Sequence, residues 1–211
     1  MRLSSPKMNI IFRACNKASK SLIRDFGEIE KLQVSIKGPT DFVSSADLKA
    51  EKIIIEELKK ARPNYSIVSE EDGSEINKDK KNTWVIDPID GTTNFLHGVP
   101  HFAISIALKS ENEIVSGVIY DPIKDEMFYA EKENGAFFNN QRIRVSKKKE
   151  ISTCLFATGG EIHDSIDLPI RRSGSAALPD FLKGKSTSFL VTPPVANKQL
   201  LRSLFFDTLI L

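Results

Sequence analysis

The segment Trp84–Phe95 contains residue types whose spacing could bind a metal ion and a phosphate group side by side. An apolar run ends at Asp87, Asp90 follows three residues later, and Gly91 and two threonines come directly after it. Carboxylate oxygens at the end of a strand are ligands that Mg²⁺ prefers. Small residues at the start of a helix leave backbone N–H groups available for a phosphate. The segment therefore predicts a metal-dependent phosphate site.

Two further acidic segments precede this one. The strand-like Tyr65–Val68 leads into Ser69-Glu70-Glu71-Asp72-Gly73, and a polar loop at 37–47 opens a helix. Acids at three element ends could converge on a two-metal centre, which activates a water and stabilises a leaving oxygen.

These three segments resemble the inositol monophosphatase family of Mg²⁺-dependent phosphatases. The resemblance is carried by DFVSSAD at 41–47, SEEDG at 69–73 and DPIDGTTNF at 87–95, and it extends through GVPHFAISIAL at 98–108, GVIYDPIKDEMFYAEKENGAFFNNQRIRVS at 117–146 and RRSGSAAL at 171–178. It implies an α+β fold, the layered αβαβα sandwich of this family. It also implies an enzyme that hydrolyses a phosphomonoester, with myo-inositol 1-phosphate as the expected substrate and Mg²⁺ as the cofactor.

The position of the acids and the resemblance together assign roles to the central residues. Glu70, Asp87 and Asp90 are expected to bind Mg²⁺ through their carboxylates, and the resemblance adds the backbone carbonyl of Ile89. A water activated by one Mg²⁺ and oriented by Glu70 and Thr92 would attack phosphorus in line, while a second ion stabilises the departing alkoxide. No covalent phosphoenzyme is expected.

The resemblance also implies supporting and substrate-binding residues. Asp47 resembles the family residue that hydrogen-bonds Thr92, and a helix N-cap is the alternative role for it. The substrate is expected to contact the segment from Asp90 through Gly91 and Thr92 to Thr93, whose N–H groups face the phosphate. Gly174, Ser175 and Ala176 match the segment that contacts the polyol, and the alternative there is a helix start capped by Ser175. His97 and His101 are not expected to bind metal, because a loop with proline separates them.

Composition sets broader bounds. The chain has 211 residues, of which 40% are apolar and 27% charged, with a net charge of +2. This is ordinary globular composition and does not indicate a nucleic-acid partner. Cys15 and Cys154 are expected to be buried free thiols. No signal peptide or membrane-spanning run is evident, so a cytoplasmic location is expected. Family members are commonly homodimers.

Hydrophobic periodicity predicts two helices followed by a largely antiparallel sheet, which is the α+β class. The helices are expected at 9–26 and about 46–61, with a short third one at 92–97. Strands are expected at 65–69, 83–87, 102–109, 113–120, 126–131, 142–145 and 154–158, with a hairpin turn at Asn139-Asn140 before the strand at 142–145.

The resemblance ends after Ala177, which divides the chain into an inositol-monophosphatase-like part at 1–177 and a divergent tail at 178–211. The family's later Trp-Asp motif has no counterpart, because Trp84 is the only tryptophan. A truncated or frame-shifted product is the expectation, with a genuine alternative C-terminus as the other possibility. Two rival functions remain. One is a sibling phosphatase acting on 3′,5′-bisphosphate nucleotides, fructose 1,6-bisphosphate or histidinol phosphate, and the other is an inactive remnant or a binding module.

Overall fold

The computed structural model describes residues 5–29, 34–38, 41–71, 73–75, 79–111 and 113–144. The chain divides into two compact units, 1–143 and 144–211, and every element below belongs to the first. The predicted strand at 154–158, Cys154, Gly174, Ser175, Ala176 and the boundary at 177 all lie outside the described residues.

Two helices form where the helical periodicity predicts them. α1 (Pro6–Phe26) begins three residues earlier than predicted. The reason is local, because the Ser5 hydroxyl accepts a hydrogen bond from the Met8 N–H at 3.2 Å, and proline is pre-organised for the first helical position. α2 (Ser45–Ala61) ends just before Arg62 and Pro63, as expected. Within the part of the chain that is described, no helix is long and apolar enough to cross a membrane.

Ten strands are present in these ranges. They are β1 (Val34–Gly38), β2 (Asp41–Ser44), β3 (Tyr65–Ser69), β4 (Gly73–Glu75), β5 (Asp79–Asp90), β6 (Ala103–Ser110), β7 (Glu113–Asp121), β8 (Glu126–Glu131), β9 (Gly135–Phe138) and β10 (Gln141–Ile143). β1 and β2 form a separate hairpin, and the other eight form one sheet in the order β10-β9-β8-β7-β6-β5-β3-β4. β3 and β5 pair in parallel, whereas the other neighbours pair antiparallel. The largely antiparallel α+β prediction is confirmed.

Three local features differ from the predictions. Residues 41–44 form β2, which pairs with β1, so this part of the segment at 37–47 is a strand and not a polar loop. β5 is longer than the predicted strand at 83–87, because its first residues pair with Tyr65 and Ser110. β9 has no counterpart in the prediction, although the expected turn at Asn139-Asn140 does join β9 to β10. Asn139 has a φ of 50°, a conformation that asparagine tolerates better than most residues.

One face of the sheet is covered by α1 and α2. α1 packs against α2 and β7, and α2 packs against β5. Trp84, Ile86 and Ile106 belong to the resulting apolar core, together with Ile11, Ala14, Ala18, Leu22, Ile54, Leu58, Ile67, Ile104, Leu108 and Val118. Cys15 lies in this core as a free thiol, as predicted, and burial raises its pKa to about 12.

Side chains on the other face point away from the two helices. Successive residues of a strand point to opposite faces. The pair Ile86↔Ile106 faces the helices, so the next pair along the ladder, Asp87↔Ser105, faces the other way. The Asp87 side chain therefore lies on the face of the sheet opposite to the helix-covered core.

Candidate metal and phosphate site

Glu70 and Asp87 are brought together by the parallel pairing of β3 with β5. Ser69 pairs with Ile86, so the next residue of each strand lies side by side on the same face. The Glu70 N–H donates to the carbonyl oxygen of Ile86 at 3.2 Å, which continues this register past the end of β3. The two carboxylates, 17 residues apart in sequence, thus become neighbours.

Asp87 and Asp90 share a face because β5 contains an irregularity between them. Asp87 pairs with Ser105, but Asp90 pairs with Ala103, so three steps along β5 correspond to two along β6. A spacing of three would put the two side chains on opposite faces of a regular strand, and one extra residue restores the same face. Pro88 lies in this bulge, where a residue without an N–H is tolerated in a sheet.

The environment of Asp87 is strongly unfavourable for a lone negative charge. Its side chain is 3% exposed, and its Oδ1 atom has no hydrogen-bond partner. Burial raises the pKa of Asp87 well above its usual value, and the charges of Asp90 and Glu70, a hydrogen bond with Glu70 and the charge of Asp47 raise it further. Three other carboxyl groups are therefore close enough to oppose ionisation of Asp87, and a cation would relieve that repulsion.

The oxygen atoms of these groups are suited to a hard divalent cation, although the side chains are not yet at metal-ligand spacing. Carboxylate and carbonyl oxygens are the donors that Mg²⁺ prefers, and the unpartnered Oδ1 of Asp87 is an oxygen of this kind. Among the residues that the structure describes, no three His, Cys, Asp or Glu side chains already lie at metal-ligand spacing. The donor atoms are thus suited to the ion, while their arrangement around it is not preformed.

Gly91 forms the turn that follows these acids. Its φ is +95°, and a Cβ built on it would lie 3.2 Å from the carbonyl oxygen of His101. Both features require glycine, because side chains disfavour positive φ and would crowd the returning chain. Asn94 holds that chain in place, since its Nδ2 donates to the same His101 carbonyl at 2.8 Å.

The short helix α3 (Thr92–Leu96) starts directly after this turn. The first N–H groups of a helix have no acceptor within it, so those near Thr93 are available to a ligand. His97, which follows α3, places its ring Nδ1 2.7 Å from the Thr93 carbonyl oxygen.

Thr92 connects this turn to α2. Its Oγ1 atom lies 3.1 Å from Asp47 Oδ1 and 3.0 Å from the carbonyl oxygen of Ile89. A hydroxyl has one proton, so it donates to either oxygen in turn. Asp47 is fully buried and lies inside the first turn of α2, which begins at Ser45. The alternative of Asp47 as the N-cap is therefore wrong, and the Thr92–Asp47 hydrogen bond implied by the family pattern is present.

Eight of the predicted site residues lie in the described part of the chain, and the structure brings them to one end of the sheet around the β5–α3 turn. They are Asp47, Glu70, Asp87, Ile89, Asp90, Gly91, Thr92 and Thr93. Their roles in binding and catalysis stay predictions. Ser105, which belongs to none of the acidic sequence motifs, is directly paired with Asp87 in the sheet.

Comparisons with known proteins agree with this arrangement. Residues 5–185 match the inositol monophosphatase family. An inositol-1-monophosphatase of Rhizobium meliloti is 54% identical over 156 residues, which are 74% of this chain and 58% of the relative. A Nus factor SuhB of Haemophilus influenzae is 38% identical over 191 residues, covering 82% of this chain and 71% of the relative.

Solved structures show the same relationship. The extragenic suppressor protein suhB from Bartonella henselae superimposes with a TM-score of 0.68 and 55% identity, over 70% of this chain and 57% of that one. A Thermotoga maritima IMPase gives a TM-score of 0.64 with 35% identity, over 71% and 57% of the two chains. The present chain thus spans less than two thirds of several relatives that it matches. On its sequence and its fold, this chain belongs to the inositol monophosphatase family.

Proposed function

We propose that this protein hydrolyses phosphomonoesters with the help of Mg²⁺, and that myo-inositol 1-phosphate is its substrate. The observation that carries the proposal is the buried Asp87 carboxylate among three other carboxyl groups, next to the Thr92–Asp47 hydrogen bond. Mutually repelling carboxylates at the end of a sheet are costly unless a cation is bound.

Each group near the turn has a part in this reaction. Glu70, Asp87, Asp90 and the carbonyl of Ile89 would hold Mg²⁺, which supplies the positive charge that activates water and stabilises the leaving oxygen. Asp47 accepts a hydrogen bond from the Thr92 hydroxyl, so that when the attacking water gives a proton to Thr92 Oγ1, the hydroxyl proton of Thr92 would pass to Asp47.

The backbone around Gly91 and Thr93 would bind the phosphate. Positive φ at Gly91 turns the chain into α3, whose first N–H groups lack intrahelical acceptors. Orientation of the phosphate by fixed donors lowers the entropic part of the barrier.

The choice of substrate is supported by relatives and not by the described residues. The Rhizobium relative is named as an inositol-1-monophosphatase, whereas a structure aligned at 32% identity is titled an inositol monophosphatase-fructose 1,6 bisphosphatase. Fructose 1,6-bisphosphate is therefore one competing substrate, and the family resemblance of the sequence adds a 3′,5′-bisphosphate nucleotide and histidinol phosphate.

A second candidate function comes from the relatives named Nus factor SuhB. The supporting observation is the 38% identity of the Haemophilus protein over most of this chain. This role is the alternative that remains if the chain binds no Mg²⁺ and releases no phosphate.

The test is phosphate release from myo-inositol 1-phosphate and from the three competing substrates, with Mg²⁺ and with a chelator. We expect chelator-sensitive release that is fastest with the inositol ester and is lost in Asp87→Asn. Glu56→Gln, which removes an exposed acid of α2, is the matched control and should behave as the unsubstituted protein. Phosphate release that persists in the chelator or in Asp87→Asn would contradict the proposal. Faster release from a competing substrate would change only the substrate that we assign, not the Mg²⁺-dependent reaction.

A further inference from the structure

We infer that Ser105 is a positioning residue for Asp87, whose carboxylate it orients for Mg²⁺ by donating a hydrogen bond from its hydroxyl. The inference rests on the proposed function, because it takes Asp87 as a metal ligand. It concerns a residue of β6 that none of the acidic motifs contains.

The sheet places Ser105 in line with two of the proposed ligands. Ser69 pairs with Ile86, which sets Glu70 beside Asp87, and Asp87 pairs directly with Ser105. Glu70, Asp87 and Ser105 therefore form one row across β3, β5 and β6. Directly paired residues have Cβ atoms about 4.5–5.5 Å apart on the same face, which is within reach of short polar side chains.

This row contains two unpartnered polar atoms, which are not hydrogen-bonded to each other in the structure. Ser105 is 2% exposed, and its Oγ atom has no hydrogen-bond partner. Asp87 is equally inaccessible, and its Oδ1 atom also has no partner. A buried hydroxyl left without a partner costs about 1–3 kcal/mol, and a charged group costs more. Because serine is a donor and an ionised carboxylate is only an acceptor, one hydrogen bond between them satisfies both residues.

Such a bond would act on metal binding through Asp87. The two oxygens of a carboxylate have about four lone-pair sites, so one donor fixes the plane of the group and still leaves sites for the ion. It also offsets part of the negative charge that Asp90 and Glu70 place near Asp87. Groups that orient metal ligands in this way typically change metal affinity by about 10–100-fold.

Ser116 offers a matched comparison. It is also 2% exposed, and its Oγ atom also lacks a partner. It lies on β7 opposite Leu108, which belongs to the helix-covered core, so it faces away from the Asp87 row. Its neighbour on β8 is Glu131, whose carboxylate already accepts a hydrogen bond from Asn134 at 2.7 Å. Loss of this hydroxyl removes a buried unsatisfied group without touching the proposed site.

The experiment compares Ser105→Ala, Ser105→Cys and Ser116→Ala in the 211-residue chain. Titration calorimetry gives the Kd for Mg²⁺, and thermal unfolding without metal gives the stability of each fold. We expect both Ser105 variants to bind Mg²⁺ at least about tenfold more weakly, while Ser116→Ala keeps the affinity of the unsubstituted protein. Cysteine is nearly the size of serine but donates weakly, so it separates loss of the hydrogen bond from loss of volume.

Three results would overturn the inference. One is a Kd for the Ser105 variants within about twofold of the unsubstituted protein, a difference well below 1.4 kcal/mol. Another is a loss of Mg²⁺ affinity in Ser116→Ala as large as in the Ser105 variants. The third is failure of both Ser105 variants to fold. Either of these two results indicates that Ser105 has a general packing role. If the unsubstituted protein binds no Mg²⁺, the proposed function fails and the inference fails with it. Normal Mg²⁺ binding in every variant would reject the role of Ser105 alone.

Discussion

At the scale of single residues, Asp87 has the least favourable surroundings in the site. It is buried, one of its oxygens has no partner, and the charges of Asp90, Glu70 and Asp47 all oppose its ionisation. A group with a raised carboxyl pKa destabilises the fold as pH rises, because the folded state holds its proton more tightly than the unfolded state does. Function, not stability, is therefore the reason to have an aspartate at this position.

The substitution Asp87→Asn should separate the effect of Asp87 on the stability of the fold from its role in binding Mg²⁺. Removing the charge relieves repulsion, so the metal-free thermal midpoint at neutral pH should rise. Mg²⁺ affinity should fall by at least about tenfold, because 1.4 kcal/mol of lost ion–carboxylate attraction is enough for that change. Thermal unfolding without metal and titration calorimetry measure the two quantities. Unchanged Mg²⁺ affinity would show that Asp87 is not a ligand.

Thr92→Ala should impair turnover and leave metal binding nearly intact. The hydroxyl that bonds to Asp47 orients and deprotonates the water in our proposal, and such proton transfer contributes about 10²–10⁴-fold to rate. Thr92→Ser keeps the hydroxyl and is the control, which should retain most of the activity. Steady-state phosphate release gives kcat for both variants, and a normal kcat in Thr92→Ala would make the hydroxyl purely structural.

At the scale of elements, the two helices are held together by ion pairs on Glu57 as well as by the apolar core. Lys17 of α1 donates to Glu57 Oε1, and Arg13 Nε lies 3.5 Å from Oε2. The hydrogen bond from Lys17 lowers the pKa of Glu57 below its usual value of 4.5, and the nearby cations lower it further. Since α2 also provides Asp47, this contact between helices supports the site from a distance.

Glu57→Gln should lower the free energy of unfolding at neutral pH by about 0.5–1 kcal/mol, a modest value because both cations are half exposed. A lowered carboxyl pKa stabilises the fold fully above the unfolded value of 4.5, and this contribution is lost as pH falls through the folded value. The difference between the variant and the unsubstituted protein should therefore shrink as the pH falls below 4.5. Urea unfolding across this range measures it, with the exposed Glu56→Gln as control. A difference that does not change with pH would assign the effect to packing.

At the scale of the whole molecule, the described residues form a helix layer on one face of an eight-stranded sheet. The opposite face has Val85, Asp87, Ser105 and Ala107 in pairs along β5 and β6, and all four are buried. The proposed site lies at one end of that face. The alignment with the Rhizobium relative covers 58% of the length of that protein, so the rest of it has no matched residues in this sequence.

We expect the 211-residue chain to release phosphate at least about 100-fold more slowly than the Rhizobium relative under the same conditions. The family pattern adds a later carboxylate that this sequence does not match, and losing one electrostatic contact in a transition state costs about 2.7–4 kcal/mol. Phosphate release with Mg²⁺ measures the ratio, and size-exclusion chromatography shows whether the compared samples are monodisperse. Equal rates would show that the residues up to 211 suffice.

The sequence by itself determined the features that depend on neighbours along the chain. The periodicity of α1 and α2, the glycine at 91, the turn at Asn139-Asn140 and the choice of oxygen ligands can all be predicted from short-range spacing. Each follows from local backbone preferences or from the chemistry of one residue type.

Only the tertiary structure decided which of those groups meet. The bulge at Pro88 returns Asp90 to the face of Asp87, the parallel register brings Glu70 beside it, and Thr92 bonds to Asp47 across 45 positions of sequence. Ser105 joins the row by the same register. These contacts depend on strand pairing between distant segments, and a one-residue change in register would move each side chain to the other face of the sheet. Periodicity within one segment contains no information about that register.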